Sequence, residues 1–120
     1  MSDTIACGGV TRVKIKSGEL FDQPLVIPAD FADGYFAGAA LFGAVCDRAG
    51  VKVADLACTW ADPVTTREIR MVGPTESWPV GRILYSDVLI HRDASAGVDA
   101  IRKYTQTIRI RVSPSFAKQV

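Results

Sequence analysis

Along most of this chain apolar and polar residues alternate one for one, and that period of two constrains the fold more than any other feature. Val13 and Ile15 stand between Arg12, Lys14 and Lys16, Ile69 and Met71 alternate with Glu68 and Arg70, and Ile108, Ile110 and Val112 with Arg109 and Arg111. Successive side chains of a strand point to opposite faces, so this pattern describes strands with one face buried. No segment keeps the i, i+3, i+4, i+7 spacing for three turns, so no helix of ordinary length is predicted. Strands are predicted over 10–16, 20–27, 35–46, 51–59, 65–72, 82–92 and 99–112. Pro24 places the second at a sheet edge, and the apolar residues on both faces of 82–92 place that strand centrally. Turns rich in Gly and Pro join them, among them Asp47-Arg48-Ala49-Gly50, which makes a hairpin of its flanking strands. About seven strands at regular spacing predict an all-β, antiparallel, immunoglobulin-like β-sandwich, with a small barrel as the alternative because strand order is not readable.

The 120 residues make one domain, over 10–113, with a flexible lead at 1–9 and a tail at 114–120. With 48% apolar and 22% charged residues the composition is that of a globular protein. No apolar run approaches the ~18 residues of a membrane helix, and the first ten residues lack the basic start and apolar core of a secretory signal. No membrane partner is expected, and folding in a reducing cytoplasm is.

The net charge of +1 hides an asymmetry. All 13 acidic residues precede position 100, whereas the last 20 residues carry Arg102, Lys103, Arg109, Arg111 and Lys118. A basic strand of this kind either meets an acidic surface on a partner or neighbouring copy, or contacts phosphates, or is simply solvated. The solvated reading is the default, and direct nucleic-acid contact is not expected. Cys7, Cys46 and Cys58 form no C-x-x-C pair. The hairpin register sets Cys46 opposite a residue near Val51, too far from Cys58 for a bridge. Free, mostly buried thiols are predicted, with Cys7 exposed and mobile.

Catalytic patterns are sparse. His91 is the one side chain suited to neutral-pH proton transfer without a shifted pKa, and it shares a strand face with Ile83, Tyr85, Asp87 and Leu89. Ser86 lies inside a strand, with no G-x-S-x-G turn around it. A Cys-His arrangement of Cys46 or Cys58 with His91 has no sign of an activated thiol. The carboxylate pairs Asp30/Asp33 and Asp47/Asp55 are too few for a calcium loop. No catalytic residue, metal site or cofactor is expected. Trp60 and Trp78, in loops beside prolines, either anchor an interface or cap the ends of the sandwich. As ligand-facing rings they would suit a carbohydrate- or receptor-binding module, the alternative functional reading.

Four stretches, taken in order, carry a resemblance. They are Ile15-Lys16-Ser17-Gly18-Glu19-Leu20-Phe21; Cys46-Asp47-Arg48-Ala49-Gly50; Gly73-Pro74-Thr75-Glu76-Ser77-Trp78-Pro79-Val80-Gly81 leading into Tyr85-Ser86-Asp87-Val88; and Thr107-Ile108-Arg109-Ile110-Arg111-Val112. Together they resemble the immunoglobulin-like N-terminal module of tailed-phage upper-baseplate proteins and related tail and head-associated proteins. Gly18, Asp47, Gly50, Thr75, Pro79, Gly81 and Asp87 stand at the positions of that pattern. The chain departs from it at Glu19, where Asp is usual, and over Ala29-Asp30-Phe31-Ala32-Asp33-Gly34-Tyr35-Phe36. The resemblance implies a non-enzymatic virion structural protein, a capsid decoration, neck or tail/baseplate component assembled in the host cytoplasm. It would dock on other virion proteins as a homo-oligomer or ring, with Trp60, Trp78, Arg109 and Arg111 as candidate interface residues.

Overall fold

The computed structural model describes residues 4–9 and 11–116. Nine strands follow one another: β1 (Gly8–Gly9), β2 (Arg12–Lys16), β3 (Leu20–Val26), β4 (Ala40–Cys46), β5 (Lys52–Trp60), β6 (Glu68–Pro74), β7 (Ile83–Arg92), β8 (Ile101–Tyr104) and β9 (Ile108–Ser113). No helix occurs among the described residues, and none is therefore long and apolar enough to cross a membrane. The all-β expectation holds. The detail differs in number and in direction, because β2 runs parallel to β9, from Arg12 beside Arg109 to Lys16 beside Ser113.

The strands hydrogen-bond in the order β1-β3-β6-β5-β4-β7-β9-β2, with β8 also on β7. β1 and β2 thus occupy opposite ends of the path, yet Gly9 and Arg12 are three residues apart, ~11 Å at most along the chain. The sheet must curl until its two ends nearly meet. β5 makes the fold-over: its residues from Lys52 to Leu56 pair with β4, and those from Ala57 to Trp60 pair with β6. Glycines give it room. A Cβ on Gly43 would collide with Cys58 Sγ, and one on Gly73 would lie 2.7 Å from Leu56 Cδ2. The alternating residues of β2, β3, β6, β7 and β9 converge inside the curl, where Phe21, Leu25, Ile69, Met71, Leu84, Val88, Ile90, Ile108, Ile110 and Val112 are fully buried.

Several expectations are corrected. Residues 35–38 form turns instead of strand, because Gly34 and Gly38 take positive φ (80° each) and the chain becomes extended only at β4. The strand predicted from 65 starts at Glu68, since Thr66 is left-handed (φ 51°). The stretch 99–112 splits into β8 and β9, where Thr105 Oγ1 accepts the Val88 N–H (3.0 Å). Cys7 is buried: its N–H donates to Gln106 Oε1 (2.8 Å), and Gln106 Nε2 donates to its carbonyl (2.9 Å). Ile5, 3% exposed, bridges to Thr105, so residues 4–9 of the expected lead pack on the sheet. Residues 1–3 of the predicted lead, residue 10 at the start of the predicted first strand and residues 117–120 of the predicted tail lie outside the described residues. All three cysteines are free.

Candidate docking face

The residues singled out from the sequence fall into a structural set and a surface set. In the turn after β4, Asp47 Oδ1 accepts the N–H groups of Ala49 and Val51 (2.9 Å each), and Gly50 takes φ 85°. Gly18, at φ 94°, donates its N–H to Thr75 Oγ1 (2.9 Å), while the fully buried Thr75 hydroxyl donates to the Glu19 carbonyl (2.6 Å). Gly81 has φ 81° and donates to the Val112 carbonyl (2.8 Å); Pro79 is half-buried in the same connection. These positions fix turns.

The tryptophans close the two ends of the core. Trp78 is 2% exposed, packs on Phe21 with ring centroids 5.5 Å apart, and leaves its buried Nε1 without a hydrogen bond. Trp60 ends β5, instead of lying in a loop, and stacks on Phe36 at 6.0 Å while Nε1 donates to the Ala39 carbonyl (3.1 Å). Trp78 fills the capping role, while Trp60 is half-buried and keeps part of its surface exposed. Trp78 offers no ring to a ligand or an interface.

Arg109 and Arg111 do lie on the surface, and the ladders show what surrounds them. Arg12 and Tyr85 flank Arg109, and Lys14 and Ile83 flank Arg111, all on the outer side of β2, β9 and β7. Two like-charged pairs therefore sit directly opposite each other, ~4.8 Å apart across the strands, an arrangement that costs stability. Arg48 and Arg82 reach the same area, lining a 420 Å³ depression with Ile83 and Tyr85. Arg12, Lys14, Arg109 and Arg111 line a second of 170 Å³ around Ile83. None of these six cations pairs with a carboxylate among the described residues, whereas Lys52, Arg67 and Arg70 all do. The guanidinium of Arg109 lies 6.0 Å from the Tyr85 ring centre, a cation–π arrangement.

The same face continues along β7 as an apolar row three strands wide. Phe42 on β4 pairs with Leu89, which pairs with Tyr104 on β8, and Phe42 and Tyr104 are 57% and 45% exposed. Between the basic and apolar parts stands Asp87, whose carboxyl is raised above its usual range by burial. It lines a 310 Å³ cleft with Ala44, Cys46, Arg48 and Tyr85. Sequence reasoning named Arg109 and Arg111 and missed Ile83, Tyr85, Phe42 and Tyr104. An exposed apolar residue in an alternating strand looks like any other until its cross-strand neighbours are known.

The groups considered for catalysis are spread apart. His91 faces outward with Nε2 3.4 Å from Asp93. Cys46 lies opposite Tyr85, six residues and ~20 Å along β7 from His91. Cys58 sits beside Gly43, its thiol pushed up to about 11 by burial. No three His, Cys, Asp or Glu side chains converge as a metal site among the described residues.

No protein-family model matches the chain, and no curated protein matches it in sequence. Some solved structures have similar folds. A DUF4785 family protein from Legionella pneumophila superposes on 84% of the chain with a TM-score of 0.58 at 11% identity. A Listeria monocytogenes internalin-like protein covers 87% with a TM-score of 0.46 at 12% identity. The chain spans 26% and 28% of the length of these two proteins.

Proposed function

We propose that this protein is a non-enzymatic docking domain with a two-layer, immunoglobulin-like arrangement, which seats itself on neighbouring structural proteins of a phage particle through the outer face of β2, β9, β7 and β4. What supports the two-layer reading is the passage of β5 from β4 to β6 and the division of the leading segment. β1 joins β3, whereas β2 joins β9. The phage setting draws its support from the four ordered sequence stretches.

One observation carries the docking reading. Six cations that meet no carboxylate among the described residues surround an exposed apolar surface, and two pairs of them face each other across β2 and β9, where like charges are expected to disfavour folding. Protein interfaces favour this mixture of Tyr, Phe and Arg. Sheet faces of such domains dock partners through many weak contacts, and a symmetric particle multiplies each of them.

Mass spectrometry of purified particles tests the setting, and absence of the chain from them removes it. Ile83→Glu with Phe42→Glu tests the face. Both side chains are exposed, so the double variant should melt within a few degrees of the parent while its incorporation into particles falls at least about tenfold. Normal incorporation would show that the face is only solvated.

A further inference from the structure

The charges on the docking face also specify what it meets. We infer that the face receives a different protein, one presenting carboxylates around an apolar side chain, with Ile83 and Tyr85 as the floor and Arg48, Arg82, Arg109 and Arg111 as the surrounding donors. This rests on the docking reading above and adds the chemistry of the partner.

Three other occupants fit less well. A second copy meeting this face across a two-fold axis would set the same cations against themselves, and like charges brought together in an interface repel. A strand added to the edge of β2 would need its free backbone groups. Lys16 N–H is already held by Glu19 Oε1 (2.6 Å), and Arg12, Lys14 and Lys16 charge that edge, a common protection against strand addition. A nucleic acid would gain from the cations. It would leave the aliphatic Ile83 and Leu89 with nothing apolar to cover them.

An acidic protein surface satisfies all of these features. Guanidinium groups bind carboxylates through two parallel hydrogen bonds, and five of the six cations are arginines. Arg109 and Arg111, like Arg12 and Lys14, are two residues apart on one strand face, a spacing of ~6.6 Å. An extended segment with acids at every second position repeats that interval. The apolar floor supplies the desolvated centre in which such charge pairs gain strength.

A fluorescein-labelled nonapeptide tests this, with glutamates alternating with threonines around a central tryptophan so that the acids and the ring share one face when extended. Fluorescence anisotropy should show binding that weakens about tenfold with Arg109→Glu plus Arg111→Glu, less with the two arginines changed to glutamine, and also with rising salt. Equal binding of the peptide with glutamine in place of glutamate would overturn the inference. So would tighter binding of oligo-dT at matched charge, or sedimentation showing self-association that the glutamate variants abolish. If Ile83→Glu with Phe42→Glu blocks incorporation while the arginine variants incorporate and bind the peptide normally, docking stands and the acidic partner falls. If neither pair of substitutions affects incorporation, the docking reading itself falls.

Discussion

Single residues in this protein act mostly by closing hydrogen bonds or by resisting charge. The Thr75 hydroxyl serves two backbone groups of the β2–β3 turn from a fully buried position. Thr75→Val keeps the volume and removes both bonds, so it should cost about 1–3 kcal/mol in denaturant unfolding. The thiols of Cys7 and Cys58 are pushed from 9.0 up to about 11 by burial. Between those values the unfolded chain releases their protons and the folded chain keeps them. Stability from this source is therefore complete below about pH 9 and is lost as pH rises towards 11. Urea midpoints measured across that range should fall, and the fall should be shallower in Cys58→Ser. At pH 8 the native thiols of Cys7 and Cys58 should react far more slowly with a disulfide reagent than those of the unfolded chain.

At the scale of elements, β5 determines whether the sheet can fold over, and its neighbours make room by having no side chains. Gly43 lies opposite Leu56 in the β4–β5 ladder and beside the Cys58 sulfur. Gly43→Ala should therefore destabilise by about 1–3 kcal/mol through overpacking. Adding Cys58→Ala should recover part of that loss, a coupling that unfolding of the two single variants and the double variant will measure. The parallel pair β2–β9 shows the opposite situation, with retained repulsion. Arg109→Glu turns the Arg12 pairing from like to unlike charge, so the melting temperature at low salt should stay level or rise. A clear drop would mean that these cations serve folding instead of docking.

For the whole molecule, the seam where the sheet curls back on itself depends on its leading residues. Ile5 is buried, its N–H donates to the Tyr104 carbonyl (2.9 Å), and its carbonyl accepts from Gln106 (3.1 Å). Ile5→Ala should cost about 2–5 kcal/mol, measured as a shift in the unfolding midpoint with an unchanged denaturant slope. The expectation of a flexible lead failed here because residues 4–9 are short, rich in small side chains and without alternation. Only contact with β3 and with the Thr105-Gln106 connection makes them part of the fold.

By itself, the sequence determined the strands with a buried face, the hairpin at Asp47–Gly50, the central place of β7 and the basic character of β9, because period two and turn chemistry are local properties. Tertiary structure decided the rest. The parallel seating of β2, the transfer of β5 between partners and the burial of Trp78 depend on which strands become neighbours, and the order of strands is not encoded in the spacing of any one of them. The proposed docking face belongs to the same class. Arg12, Ile83, Tyr85 and Arg109 are far apart in the chain and become a single surface only through two ladder registers.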